Sequence, residues 1–343
     1  MTKKSTPPYI LPTQTPFSYN VGICFHTNMC NWYVSPTVKY SRANQIQYSQ
    51  DRLTEIVKTF KLIRVYGFRV AGFDSNSDLD PCTQALVNVI NINSDVEAVI
   101  SMNPGMKTYL LTDSQATDYF KEFTTQLGSN TGQVKTLLLG NEVNANGYTA
   151  ADLTAMITAI KANAEYKKLN YPLSVSFSSL PDQSGNDASD KMVKAIVDGW
   201  DPGWNGGKPF VFMDPYPDAA GIGSAAGVYE WQSKVQAYYA KTYPDLQIFI
   251  AETGAEGDAT DKTSVPVIQS ILTELDTQQS AKASNGYTVP TFIFEALDEQ
   301  LKPGPTIQTN MGVYKDAAAA DGSTISIKSG ITVKGWVSKK IGS

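Results

Sequence analysis

The chain has 343 residues, 28 Lys and Arg against 33 Asp and Glu, a formal net charge of −5 and 42% hydrophobic residues. That length suffices for one large α/β barrel or two ordinary domains, and the acidic balance argues against nucleic acid or an anionic membrane as partner. No apolar run approaches the ~18 residues of a membrane-spanning helix, and a lone histidine, His26, excludes a multi-histidine metal site.

The chain opens with Pro7, Pro8, Pro12 and Pro16, so residues 1–18 read as an extended arm ahead of one domain, 19–343. The first residues hold no apolar core of a signal peptide. The three cysteines, Cys24, Cys30 and Cys82, form no C-x-x-C pair, so neither a zinc ribbon nor a thioredoxin motif is indicated.

Eight short apolar runs follow, starting near Asn20, Lys61, Val96, Val134, Leu173, Pro209, Leu246 and Pro290, at intervals of 35–44 residues. They are continuous rather than alternating, the pattern of parallel strands covered on both faces. Helical segments are expected at 51–60, 113–127, 149–169, 188–200, 226–241 and 264–279. The third of these carries a capping Thr149 with Asp152 three residues on. Eight strand–helix units predict a (β/α)8 TIM barrel. The competing doubly wound sheet would show a glycine-rich phosphate loop after its first strand, and HTNMCNWYVSP is none. The longest loop is expected from His26 to Gln50, and the runs TISI and ITVKGW near the C-terminus read as a small hairpin.

In such a barrel the chemistry sits where strands end. Those ends supply Arg64 and Tyr66 after run two, Asn141 and Glu142 after run four, Ser178 and Ser179 after run five, and Asp214 and Tyr216 after run six. Runs seven and eight supply Glu252, and then Glu295, Asp298, Glu299 and Lys302. Glu142 and Glu252 follow the most apolar runs, where an unpartnered charge costs several kcal/mol. A single such glutamate is more often a structural ion-pair member. Two of them, on strands four and seven, would face each other across the barrel mouth, and two carboxyl groups flanking one bond are what glycoside cleavage needs. That chemistry requires neither histidine, metal nor cofactor.

KLIRVYG, LLLGNEV, the PYP of run six, IAETG, IFEALDEQLK and TNMGVY, in this order over residues ~20–315, resemble glycoside hydrolase family 17, the β-1,3-glucanases and β-1,3-glucanosyltransferases. The resemblance implies a retaining mechanism with Glu142 as acid/base and Glu252 as nucleophile. It implies Asn141 on the sugar 2-hydroxyl, Tyr66 and Tyr216 lining the subsite, and Glu299 with Lys302 supporting the site. Trp204, in a glycine-flanked loop, is the candidate stacking platform. Trp231 reads as packing and His26 as a structural residue. The implied partner is β-glucan, handled by a monomer without membrane insertion, and the expected location is secreted, periplasmic or cell-surface.

The match has departures. ETG continues with Ala255 and Glu256 where the family commonly has Trp-Pro, strand eight reads ALDE, and GICFHTNMC is unlike the usual start. Cys82 resembles a cysteine of fungal-type members whose partner is left open; the first expectation is three ordinary reduced or buried cysteines, and the alternative is a Cys30–Cys82 disulfide between the loops after strands one and two, which would imply an oxidising compartment. Endo-hydrolysis is the primary expectation, transglycosylation on the same intermediate the first alternative, and a non-catalytic carbohydrate-binding barrel the second.

Overall fold

Apolar runs of four to eight residues become the strands of this chain because each can bury both faces at once. The computed structural model describes residues 9–26, 41–67, 79–102, 107, 115–180, 187–219, 221–255, 261–281, 288–298, 310–315 and 325–341. The strands are β1 (Val21–Phe25), β2 (Leu62–Val65), β3 (Glu97–Ser101), β4 (Val134–Leu138), β5 (Leu173–Ser174), β6 (Ser176–Phe177), β7 (Phe210–Met213), β8 (Gln247–Gly254) and β9 (Thr291–Phe294). All pair in parallel, in the order β5-β4-β3-β2-β1-β9-β8-β7-β6. β5 and β6 are separated only by Val175; β5 pairs back with β4 and β6 forward with β7. They are two halves of one strand, and the sheet closes as an eight-stranded (β/α)8 barrel.

Around it lie α1 (Arg42–Ile56), α2 (Pro81–Ile92), α3 (Gln115–Leu127), α4 (Ala150–Ala162), α5 (Ala164–Leu169), α6 (Asp187–Asp198), α7 (Ala225–Ala240) and α8 (Asp261–Ala281). Outward strand residues such as Ile63, Val65, Leu137, Val211, Ile248 and Ile250 pack on these helices. Their neighbours Leu62, Val99, Leu138, Phe212, Phe249 and Phe292 fill the barrel interior. Gly22 supplies the space for Phe292: a Cβ there would lie 2.5 Å from the Phe292 ring.

The arm is docked over its described length. Tyr9 donates to Glu274 on α8 at 2.9 Å, Ile10 N–H to Ser233 on α7 at 2.9 Å, and Thr13 N–H to Gln247 at 3.0 Å. Phe17 then enters the N-terminal end of the barrel, its ring 5.9–6.4 Å from those of Phe210, Phe212, Phe249 and Phe292.

Several boundaries differ from the sequence reading. The helix expected at 51–60 is α1 and begins at Arg42, inside the expected long loop, with Ser41 as its cap. α2 was not expected; Asp80 caps it by accepting from Cys82 N–H at 2.9 Å, and Pro81 occupies its first turn. The segment 149–169 divides at Asn163, which ends α4 and caps α5 through its side chain. The C-terminal hairpin pairs β10 (Tyr314–Lys315) with β11 (Ser326–Ile327), so TISI is a strand, whereas Ile331–Trp336 runs into a 3-10 turn at Gly335–Ser338. Lys328 anchors this segment to the barrel: its ammonium lies 2.6 Å from Asp298 and donates to the Asn310 carbonyl at 2.9 Å, with both charged residues buried. Among the described residues no helix is long and apolar enough to cross a membrane.

Candidate active site

Strict alternation carries polar residues into the top of the barrel. Inward Leu62 is followed two residues on by Arg64, Val99 by Ser101, Ser174 by Ser176 and Phe212 by Asp214, and all four polar residues are buried. Arg64 is fully enclosed, with Nε donating to Ser101 at 3.2 Å and Nη1 to the Ala251 carbonyl at 2.7 Å.

The two glutamates are aimed by breaks in regular backbone. On β8, Phe249 and Ala251 point inward, so alternation would send Glu252 outward. Between Ile250 and Thr253 β8 advances three residues while β9 advances two, from Thr291 to Ile293. That bulge turns Glu252 into the mouth, the usual effect of one inserted residue. Glu142 has φ +46°, a left-handed conformation that is costly for a residue with a side chain. Its N–H donates to Ser176 Oγ at 3.0 Å, and the following Val143 N–H to the Ser176 carbonyl at 2.9 Å.

Arg64 joins the two strand ends. Its Nη1 lies 3.0 Å from Glu252 Oε1, and its Nη2 donates to Asn141 Oδ1. Ser176 Oγ donates to the same Asn141 oxygen at 2.7 Å. Two donors on Oδ1 fix the amide orientation and leave its NH2 group to face elsewhere. Tyr216 donates to Glu252 Oε2 at 3.0 Å, so each oxygen of Glu252 carries a donor. The Arg64 guanidinium lies 4.6 Å from the Tyr66 ring centroid, and Phe294 meets Tyr66 and Tyr216 edge-on at 6.2 and 6.3 Å. Burial pushes the hydroxyls of Tyr66 and Tyr216 well above the ordinary tyrosine range, so both stay protonated.

Asp214 is 3% exposed, with Oδ1 4.0 Å from Arg64 Nη1. Desolvation, and then the charges of Glu252 and Glu142, hold its carboxyl well above the usual carboxylate range against the pull of Arg64. Glu142, Glu252 and Asp214 thus share one electrostatic neighbourhood at the C-terminal mouth.

Of the residues singled out in the sequence, Glu142, Glu252, Asn141, Tyr66 and Tyr216 come together. Trp204 does not. It precedes β7 at the opposite end of the barrel, 3% exposed, its indole N–H donating to Asn170 at 2.9 Å and its ring edge-on to Trp200. A ring buried there offers no face to a sugar, so the stacking role is withdrawn. Glu299, Lys302 and Cys30 lie outside the described residues. Asp298, just before Glu299, is engaged by Lys328. Cys82 is buried beside Ser49, and Cys24 lies within the barrel, its thiol contacting the Ala251 carbonyl at 3.3 Å. Arg64 and Asp214 stood among the strand-end residues without a role, and Ser101, Ser176 and Phe294 were not considered. The signal for four of them was parity with the apolar residue two positions earlier. Among the described residues no cluster of His, Cys, Asp and Glu is arranged to hold a metal ion.

No family model matches the chain, and no curated protein matches it in sequence. Solved structures do. CJP38, a β-1,3-glucanase and allergen of Cryptomeria japonica pollen, superposes with TM-score 0.59 at 16% identity, covering 86% of this chain and 95% of that one. A structure described as one of two plant β-glucan endohydrolases with distinct substrate specificities gives 0.57 at 11% identity, covering 86% and 96%. An aphid myrosinase gives 0.52 at 15%, covering 92% and 97%. The chain shares the (β/α)8 barrel fold of these structures. Plant β-glucanases, including a β-1,3-glucanase, are among the structures it resembles.

Proposed function

We propose that the protein is a retaining glycoside hydrolase acting within chains of β-1,3-glucan. The observation that carries this reading is the Asn141–Arg64–Glu252 bridge, which ties the ends of the fourth and seventh barrel strands together beside Glu142. Glu252, held by Arg64 and Tyr216, is oriented as a nucleophile at an anomeric carbon must be. Glu142 is the acid that protonates the leaving oxygen and then the base that activates water. The Asn141 NH2 group, its oxygen already engaged, donates to a substrate hydroxyl, for which the sugar 2-hydroxyl is the suited partner. Tyr66, Phe294 and Tyr216 wall the reacting ring. The β-1,3 preference rests on the motif resemblance and on the β-1,3-glucanase among the similar structures. Glu299 and Lys302 remain proposed supports of this site.

The roles are tested by azide rescue. Glu252→Ala should lose activity on glucan and, with azide and an activated aryl β-glucoside, yield the α-glucosyl azide. Glu142→Ala should yield the β-azide, because azide then attacks an intact glycosyl-enzyme. The same anomer from both variants, or near-normal activity of Glu252→Ala, overturns the assignment. Sizing the products from β-1,3-glucan by mass separates hydrolysis from glucanosyl transfer, which uses the same intermediate.

A further inference from the structure

We propose that Asp214 is the reserve counter-ion of Arg64: Glu252 holds the guanidinium while its carboxylate is free, and Asp214 takes its place when Glu252 is esterified. The proposal rests on the retaining reading above and adds a residue to it. It starts from a shared nitrogen. Arg64 Nη1 is 3.0 Å from Glu252 Oε1 and 4.0 Å from Asp214 Oδ1. Arg64 has no solvent exposure and Asp214 has 3%, so water does not supply the missing charge to either. Neither carboxyl oxygen of Asp214 has a well-formed hydrogen bond among the described residues. A group left so unsatisfied in a buried layer is uneconomical unless another state of the site uses it.

The groups facing Asp214 set the direction of the exchange. They are Arg64 from β2, Glu252 from β8, Glu142 beyond β4, Ser176 from β6, Cys24 from β1 and Tyr216 from its own loop. In the free site burial, followed by the Glu252 charge, keeps Asp214 protonated, and Glu142 is a weaker influence than Glu252. In the first half-reaction a Glu252 oxygen bonds to the anomeric carbon. The glycosidic C–O bond breaks, its electron pair goes to the leaving oxygen, and that oxygen takes the Glu142 proton. Glu252 is now a neutral ester and Glu142 an anion. The stronger repulsion on Asp214 has been exchanged for the weaker, while Arg64 has lost its partner. Asp214 therefore releases its proton to solvent water and pairs with Arg64. In the second half-reaction water gives a proton to Glu142 and its oxygen to the anomeric carbon. The ester bond breaks, Glu252 recovers its electron pair and charge, and Asp214 takes a proton back from solvent.

The test is infrared difference spectroscopy of the full chain before and after trapping with a dinitrophenyl β-glucoside bearing fluorine in place of the sugar 2-hydroxyl. Trapping should remove the C=O stretch of protonated Asp214, beside that of Glu142 where the leaving oxygen has taken its proton. Carboxyl-13C labelling of the aspartates alone should move the lost Asp214 band to lower frequency, and this arm needs no variant. In Asp214→Asn the band should be missing while Glu252 is still labelled. A spectrum in which aspartate labelling moves no lost carboxyl band overturns the proposal although the retaining reading stands. Failure of the fluorosugar to label Glu252 at all, read by peptide mass, overturns both.

Discussion

Asn and a protonated Asp have nearly the same shape but differ in what pH does to them, which makes Asp214 a direct probe of the buried layer. Its carboxyl is held above the usual range by burial, so the folded chain binds this proton more tightly than the unfolded chain does. A raised folded pKa gives stability that is complete below the unfolded value, about 4 for an aspartate, and is lost as pH rises toward the folded value. Asp214→Asn does not titrate. The variant should therefore gain on the natural protein as pH rises from about 4 to 7, and urea unfolding at the two ends of that window measures the gap. A gap that stays constant, or one that narrows, would show that the proton is not held in the fold. At this scale the sequence revealed the two glutamates, because a charge directly after LLLGN or IFIA stands out. It placed Asp214 at a strand end without a role and did not reveal Ser176, because the partners of both are assembled only by closure of the barrel.

Among the elements, the strands were the most legible part. With β5 and β6 taken as one, each barrel strand begins at, or one residue after, the start expected from its apolar run, as Val134 and Leu173 show for β4 and β5. Continuous burial on two faces leaves little room for another reading. Helices were less legible because their faces are mixed. α2 carries its strongest evidence in the Asp80–Pro81 cap rather than in its periodicity, and α1 starts within a polar stretch. The bulge on β8 had no visible signature, although it decides which way Glu252 points. The arm was legible as extended but not as docked, since its proline content does not disclose that Phe17 is a core residue. Phe17→Ala should cost about 3–5 kcal/mol, the usual range for emptying a buried phenylalanine site. Chemical denaturation reads this directly; a loss below about 1 kcal/mol would mean that the ring packing at the barrel floor is dispensable.

At the scale of the whole molecule, a buried ion pair helps to tie the C-terminal segment to the barrel. Asp298 accepts from Lys328 and from the Gly312 N–H at 3.0 Å, so the end of β9, the turn before β10 and the strand β11 converge on one carboxylate. Lys328→Met removes the cation and leaves that carboxylate buried, which costs about 3–5 kcal/mol when a paired charge loses its partner. Thermal unfolding of this variant should show a lower midpoint, and Asp298→Asn combined with Lys328→Met should recover part of the loss. Absence of recovery in the double variant would show that the two residues act independently.

The seal at the barrel floor also decides where the molecule can be held. Ile341 N–H donates to the Ser18 carbonyl at 2.8 Å, and Ser18 stands just before β1, on the face opposite Glu142 and Glu252. The C-terminal end of the described chain therefore meets the arm on the side away from the mouth. Attachment to a bead through that end should leave the cleft facing outward, open to a polymer far longer than the barrel is wide. For the proposed glucanase, equal kcat on soluble glucan for the free and the end-attached protein is the expected result, whereas attachment through Lys107, which pairs with Asp152 in the first turn of α4 at 2.8 Å, should lower it.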